Sequence, residues 1–91
     1  MTNLRIPTPL RTYTEGKSEI QISGLTVADA MDDLVNQYPD MKQHIFNEDG
    51  QLRPFINLFL GEDNVKDLEQ GLDTPLDENQ RLLLIPSIAG G

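Results

Sequence analysis

Thr26-Val27-Ala28-Asp29-Ala30-Met31-Asp32-Asp33-Leu34-Val35-Asn36-Gln37-Tyr38-Pro39 is the stretch that decides how this chain folds. Val27, Ala30, Met31, Leu34, Val35 and Tyr38 recur at spacings of three and four, which puts them on one stripe of a helix. Asp29, Asp32, Asp33, Asn36 and Gln37 fill the opposite side and predict a solvated face. Thr26 is the expected N-cap, with Asp29 three residues on in the manner of a capping box. Pro39 sets the end, because the residue before a proline is pushed out of helical geometry.

Outward from this helix the pattern changes to that of strands. Upstream, Ile20 and Ile22 alternate with Glu19 and Gln21, the period of a half-buried strand over Ser18 to Ser23. Leu4, Ile6 and Pro7 predict a short opening strand, and a turn around Thr8-Pro9 with a long connection containing Gly16 makes the pair a hairpin. Downstream, Asp40 to Phe46 is expected as a helical turn and Asn47-Glu48-Asp49-Gly50 as a tight turn. Phe55 to Leu60 is expected as a strand that reverses at Gly61 to Asn64, with Val65 to Leu68 as a short return strand. Leu72 and Leu76 can pin the loop Gly71 to Leu76 to the core, and Arg81 to Pro86 forms the last strand. This order implies an α+β layer, a mixed sheet with one main helix across one face. The first and last strands lie side by side and parallel at its centre, a β-grasp arrangement.

Bulk properties bound the function. Ninety-one residues make one small domain, and a 37% hydrophobic content is enough for a core. No run of 18 apolar residues predicts a membrane span, and the first residues lack the apolar segment of a secretory signal, so a cytoplasmic location is expected. The absence of cysteine excludes a disulfide scaffold and thiol catalysis. A net charge of −8 argues against nucleic acid, which needs clustered Lys and Arg, and suits a protein partner.

Two features depart from an ordinary small domain. A sheet with one covered and one open face should alternate apolar and polar residues, yet Leu82-Leu83-Leu84-Ile85 does not, nor does Phe55 to Leu60 beyond Asn57. Some of Leu58, Leu60, Leu83 and Ile85 are therefore expected on an exposed patch for a partner. The other departure is the ending Gly90-Gly91, a pair that composition alone would give in roughly 0.5% of chains. A terminal carboxylate is a poor electrophile, but an acyl-adenylate made from ATP supplies a good leaving group. Reaching another enzyme's active site through a narrow channel favours glycine, which has no side chain to obstruct passage. Ile88 and Ala89 extend the same small lead-in, so residues 1–86 are expected as the domain and 87–91 as a flexible, exposed tail.

At these residues the chain resembles the MoaD/ThiS family of ubiquitin-like sulfur carriers. The run Leu82-Leu83-Leu84-Ile85-Pro86-Ser87-Ile88-Ala89-Gly90-Gly91 is similar to that family's hydrophobic strand, proline and Gly-Gly ending, and Thr74-Pro75-Leu76 to its preceding loop. The resemblance implies a β-grasp protein whose terminal Gly91, with Gly90, is adenylated by an E1-like enzyme that uses ATP. Sulfur transfer then gives a C-terminal thiocarboxylate that donates sulfide in biosynthesis. The Pro-x-x-Ala-Gly-Gly ending from Pro86 and the longer region Phe55 to Leu68 are most like carriers serving cysteine synthesis through a pyridoxal-phosphate enzyme, with molybdopterin or thiamine pathways as alternatives. Two features depart from the family pattern: Glu78-Asn79-Gln80 stands where Gly-Asp often precedes the last strand, and a single proline, Pro86, precedes Ser87.

The remaining candidates reduce to structure. His44 is the only histidine and has no spaced ligand partner, so no metal site is expected. Turn glycines such as Gly24, Gly61 and Gly71 form no phosphate loop, no bound cofactor is expected, and the domain itself is not read as an enzyme. Two other functions are compatible with the sequence: a protein modifier joined to lysines through the same terminus, and a non-covalent interaction module.

Overall fold

The computed structural model describes residues 2–54, 56–77 and 79–86. Its elements are β1 (Thr2–Arg5), β2 (Glu19–Ile22), α1 (Val27–Gln37), α2 (Lys42–Ile45), β3 (Ile56–Leu60), β4 (Asp63–Asn64) and β5 (Arg81–Pro86), with 3₁₀ turns between several of them. The sheet order is β2-β1-β5-β3-β4. β1 pairs antiparallel with β2, β5 runs parallel to β1 and antiparallel to β3, and β3 turns back on β4. The first and last strands are thus neighbours and parallel, the β-grasp topology of ubiquitin-like proteins.

Helix α1 forms for the reasons its sequence supplies. The Thr26 hydroxyl accepts from the Asp29 amide at 3.2 Å, satisfying one of the donors left open at the helix start. Val27, Ala30, Met31 and Leu34 are buried against the sheet, and Tyr38 lies half-buried beyond the last turn. Each large side chain among them contributes roughly 1.5–3 kcal/mol of burial. Gly24 is required just before the helix, because a Cβ there would lie 2.5 Å from the Ala30 nitrogen. The Thr74-Pro75-Leu76 segment closes the same end of the helix. The Val27 amide donates to the Thr74 carbonyl and the Leu76 amide to the Leu25 carbonyl, with Leu72 and Leu76 partly buried against the core.

Several boundaries differ from the sequence expectation. β1 ends at Arg5; the Ile6 amide still donates to the Ser18 carbonyl in the β1–β2 register, but Pro7 has no amide to continue the ladder, and the connection to β2 is a 3₁₀ stretch over Thr8–Thr14. The return strand is Asp63–Asn64, not Val65 to Leu68. Asn64 Oδ1 accepts the Lys66 amide at 2.9 Å, which starts a 3₁₀ turn over Val65–Asp67 and buries Val65. The segment after Pro39 forms a 3₁₀ turn and then α2, whose Met41 and Ile45 neighbours join the core beneath α1. Asn47 Oδ1 accepts the amides of Asp49 and Gln51, fixing the expected turn.

Candidate functional site at the central strand

β5 is the strand from which the C-terminal segment continues, and it lies in the middle of the sheet. Its four consecutive apolar residues separate cleanly by face. Leu82 and Leu84 are buried under α1, whereas Leu83 is half-buried and Ile85 is 42% exposed on the opposite face. β3 separates in the same way: Ile56, Leu58 and Leu60 enter the core, and Asn57 and Phe59 face outward. The exposed patch therefore includes Leu83 and Ile85 but not the other two expected members. Leu58 is fully buried and Leu60 8% exposed, because the antiparallel register pairs them with Leu84 and Leu82 on the helix-covered face.

Register places the outward residues in rows. Glu19, Arg5, Leu83, Phe59 and Asn64 lie side by side across the five strands, and Ile85 sits next to Asn57 one row nearer the chain end. Phe59 and Leu83 are a directly opposed cross-strand pair, so the apolar stripe is continuous over β3 and β5. Phe59 was missed in the sequence because Phe55 to Leu60 is almost wholly apolar, although the polar Asn57 two residues before it marks the outward parity. Arg81 does the same for β5, since it shares a face with Leu83 and Ile85.

β5 also outruns its parallel neighbour. β1 pairs with it only as far as Leu83, while β3 follows it to Pro86. Next to the unmatched end lies a cleft of about 310 Å³ bounded by Arg5, Pro7, Arg11 and Ile85. Arg11 is held there by its Nε donating to the Ile6 carbonyl at 3.1 Å. Gly90, Gly91, Ile88 and Ala89, and with them the expected extended tail, lie outside the described residues.

Away from this face the described residues offer little chemistry. His44 stacks on Tyr13 with ring centroids 4.2 Å apart, and its Nε2 is closed off from solvent without a hydrogen-bond partner. Among the described residues no group of three or more His, Cys, Asp or Glu side chains is placed to hold a metal ion. No helix among them is long and apolar enough to cross a membrane.

Comparison with known proteins agrees with this architecture. Residues 4–91 match the ThiS family. A protein of Archaeoglobus fulgidus named as a sulfur carrier is 31% identical over 88 residues, covering 97% of this chain and 96% of the relative. The chain in the Amycolatopsis orientalis BexX/CysO complex superposes with a TM-score of 0.89 at 30% identity, with all of both chains covered. Small archaeal modifier protein 1 of Methanosarcina acetivorans gives 0.86 at 28% identity, covering 99% of this chain and 95% of that one. With its parallel β1–β5 centre, the helix α1 packed across the sheet and a family match over nearly its whole length, this chain is a member of the ThiS family of ubiquitin-like sulfur carriers.

Proposed function

We propose that this protein is a co-substrate whose reactive group is the carboxylate of Gly91. A partner adenylating enzyme docks the outer face of the sheet and takes the Gly90-Gly91 end into its ATP site. A Gly91 carboxylate oxygen attacks the α-phosphorus of ATP and pyrophosphate leaves. A sulfide-level nucleophile then attacks the acyl carbon, AMP departs with the bonding electrons, and a thiocarboxylate remains. That group hands sulfide to an acceptor enzyme, with a pyridoxal-phosphate cysteine synthase favoured over the molybdopterin and thiamine pathways. The observation that carries the reading is a Gly-Gly end five residues beyond the central strand of a ThiS-family domain. The likeness to the chain in the BexX/CysO complex supports it.

A second reading, attachment to lysines of other proteins through the same terminus, is favoured by the likeness to small archaeal modifier protein 1. Intact mass spectrometry of the chain purified from its own cells separates the two. A single oxygen-to-sulfur exchange at Gly91 is expected for the carrier and an isopeptide-linked species for the modifier; finding neither overturns both. Deleting Gly91 abolishes the exchange while leaving the unfolding midpoint unchanged. Binding and cellular function that both survive the deletion identify a non-covalent module instead.

A further inference from the structure

A five-stranded open sheet has two edges, and an edge strand turns outward a row of amides and carbonyls with which any extended segment can pair. At one edge β4 is only Asp63–Asn64, and the chain leaves it at once for the turn that Asn64 starts, so little backbone is offered there. β2, at the other edge, runs over Glu19–Ile22 and is not blunted by shortness. Bonding alternates along an antiparallel pair, and the Ile6 amide donates to the Ser18 carbonyl, so Ser18, Ile20 and Ile22 turn their backbone groups to β1. Glu19, Gln21 and Ser23 turn theirs out to the edge.

Those outward groups meet side chains of α1. The Ser23 amide donates to Asp33 Oδ2 at 2.9 Å, and Gln37 Nε2 donates to the Gln21 carbonyl at 3.1 Å. Gln37 Nε2 also donates to Asp33 Oδ2 at 2.9 Å, which ties two residues one helical turn apart into a single bracket. Lys17 Nζ, donating to Tyr38 Oη at 3.4 Å, spans the same cleft between β2 and α1. Neither Asp33 nor Gln37 belongs to the buried core, yet both are turned onto the edge of one strand. We infer that Asp33 and Gln37 close the β2 edge against strand addition by a second copy of this chain. A second copy fits the edge by symmetry: two β2 strands set antiparallel about Gln21 offer each other the same outward groups and would continue one sheet into the next. A net charge of −8 on each copy repels at long range, but that repulsion is screened beyond about 8 Å at physiological salt, so the edge needs a local obstacle. The inference holds whichever partner takes the C-terminus.

Sedimentation velocity of the full-length chain over a range of concentrations reads the assembly state, and the parent is expected to stay monomeric. Asp33→Ala with Gln37→Ala removes the two capping bonds on each copy of a pair and is expected to raise self-association by roughly a hundredfold. Asp32→Ala with Asn36→Ala makes the same change of charge at the same spacing on the exposed side of α1, and is expected to stay monomeric. Gln21→Pro, added to the first pair, removes an outward amide that no bond to β1 uses and is expected to restore the monomer. Hydrogen exchange followed by NMR locates the contact without that proline. At dilutions where the first variant is monomeric, its Ser23 amide is expected to exchange roughly tenfold faster than in the parent. In the assembled variant, the Glu19 and Gln21 amides are expected to become protected. A first variant that stays monomeric, equal association in the control pair, or association that protects only other amides or survives Gln21→Pro overturns the inference. Unchanged exchange at Ser23, or a parent that already assembles through β2, overturns it as well. Circular dichroism confirms that the variants are folded.

Discussion

Leu84 and Ile85 are chain neighbours on β5 with opposite surroundings, 2% and 42% exposed respectively, which makes them a sharp test of the register. Truncating either to alanine removes three carbon groups. At about 0.8 kcal/mol per buried carbon, Leu84→Ala loses about 2.4 kcal/mol of transfer free energy. The cavity left under α1 adds to this, for a total of about 3–4 kcal/mol. Ile85 has about 58% of its surface covered, so Ile85→Ala loses about 1.4 kcal/mol and leaves no enclosed cavity. A domain of this size has roughly 5–14 kcal/mol of stability in total, so the first change takes a large share of it and the second a small one. Urea unfolding followed by circular dichroism reads both. With a slope of about 1 kcal/mol per molar for a small domain, the midpoint falls by about 3 M for Leu84→Ala and about 1.4 M for Ile85→Ala. Binding to the adenylating enzyme should show the reverse order, with Ile85→Ala the more damaging once both proteins are folded. Equal midpoint shifts, or a larger one for Ile85, would refute the assignment of faces on which the docking surface rests.

Thr26→Ala removes the hydroxyl that receives the Asp29 amide, and a loss of about 1 kcal/mol is expected in the same urea assay, with Thr26→Ser restoring most of it. Gly24→Ala puts a carbon 2.5 Å from the Ala30 nitrogen, so the start of α1 must shift; a cost of about 1–3 kcal/mol and faster amide exchange at Ala30 are expected, and a neutral result would show that the loop yields freely.

What the sequence made legible follows from how periodic each segment is. α1 was readable to within a residue because its stripe, its threonine cap and its proline stop all agree. β2 was readable because Ile20 and Ile22 alternate with polar residues. β5 could be located but its faces could not, since Leu82 to Ile85 are apolar without interruption and the apolar residues on the open face, Leu83 and Ile85, erase the period-2 signal. The parity of Arg81 and Asn57 held the answer, because a charged or amide side chain at one position commits every second neighbour to the same face. β4 was misplaced because a two-residue strand has no period to detect, and Val65, the apolar residue that suggested a strand, is buried in a turn that Asn64 initiates. The nearness of Arg5 to Arg81 was invisible for a different reason: they are 76 positions apart, and only the parallel pairing of β1 with β5 brings them onto one face.

That pairing also governs how the protein answers a pull on its end. Tension applied at the C-terminus travels along β5, whose bonds to β1 and β3 run across the direction of the force. They are stressed together in shear, so the sheet resists as a unit, whereas a terminal strand at an edge and running the other way would peel open one bond at a time. A pull on the chain beyond Pro86 is thus borne by the centre of the fold and not by an edge strand.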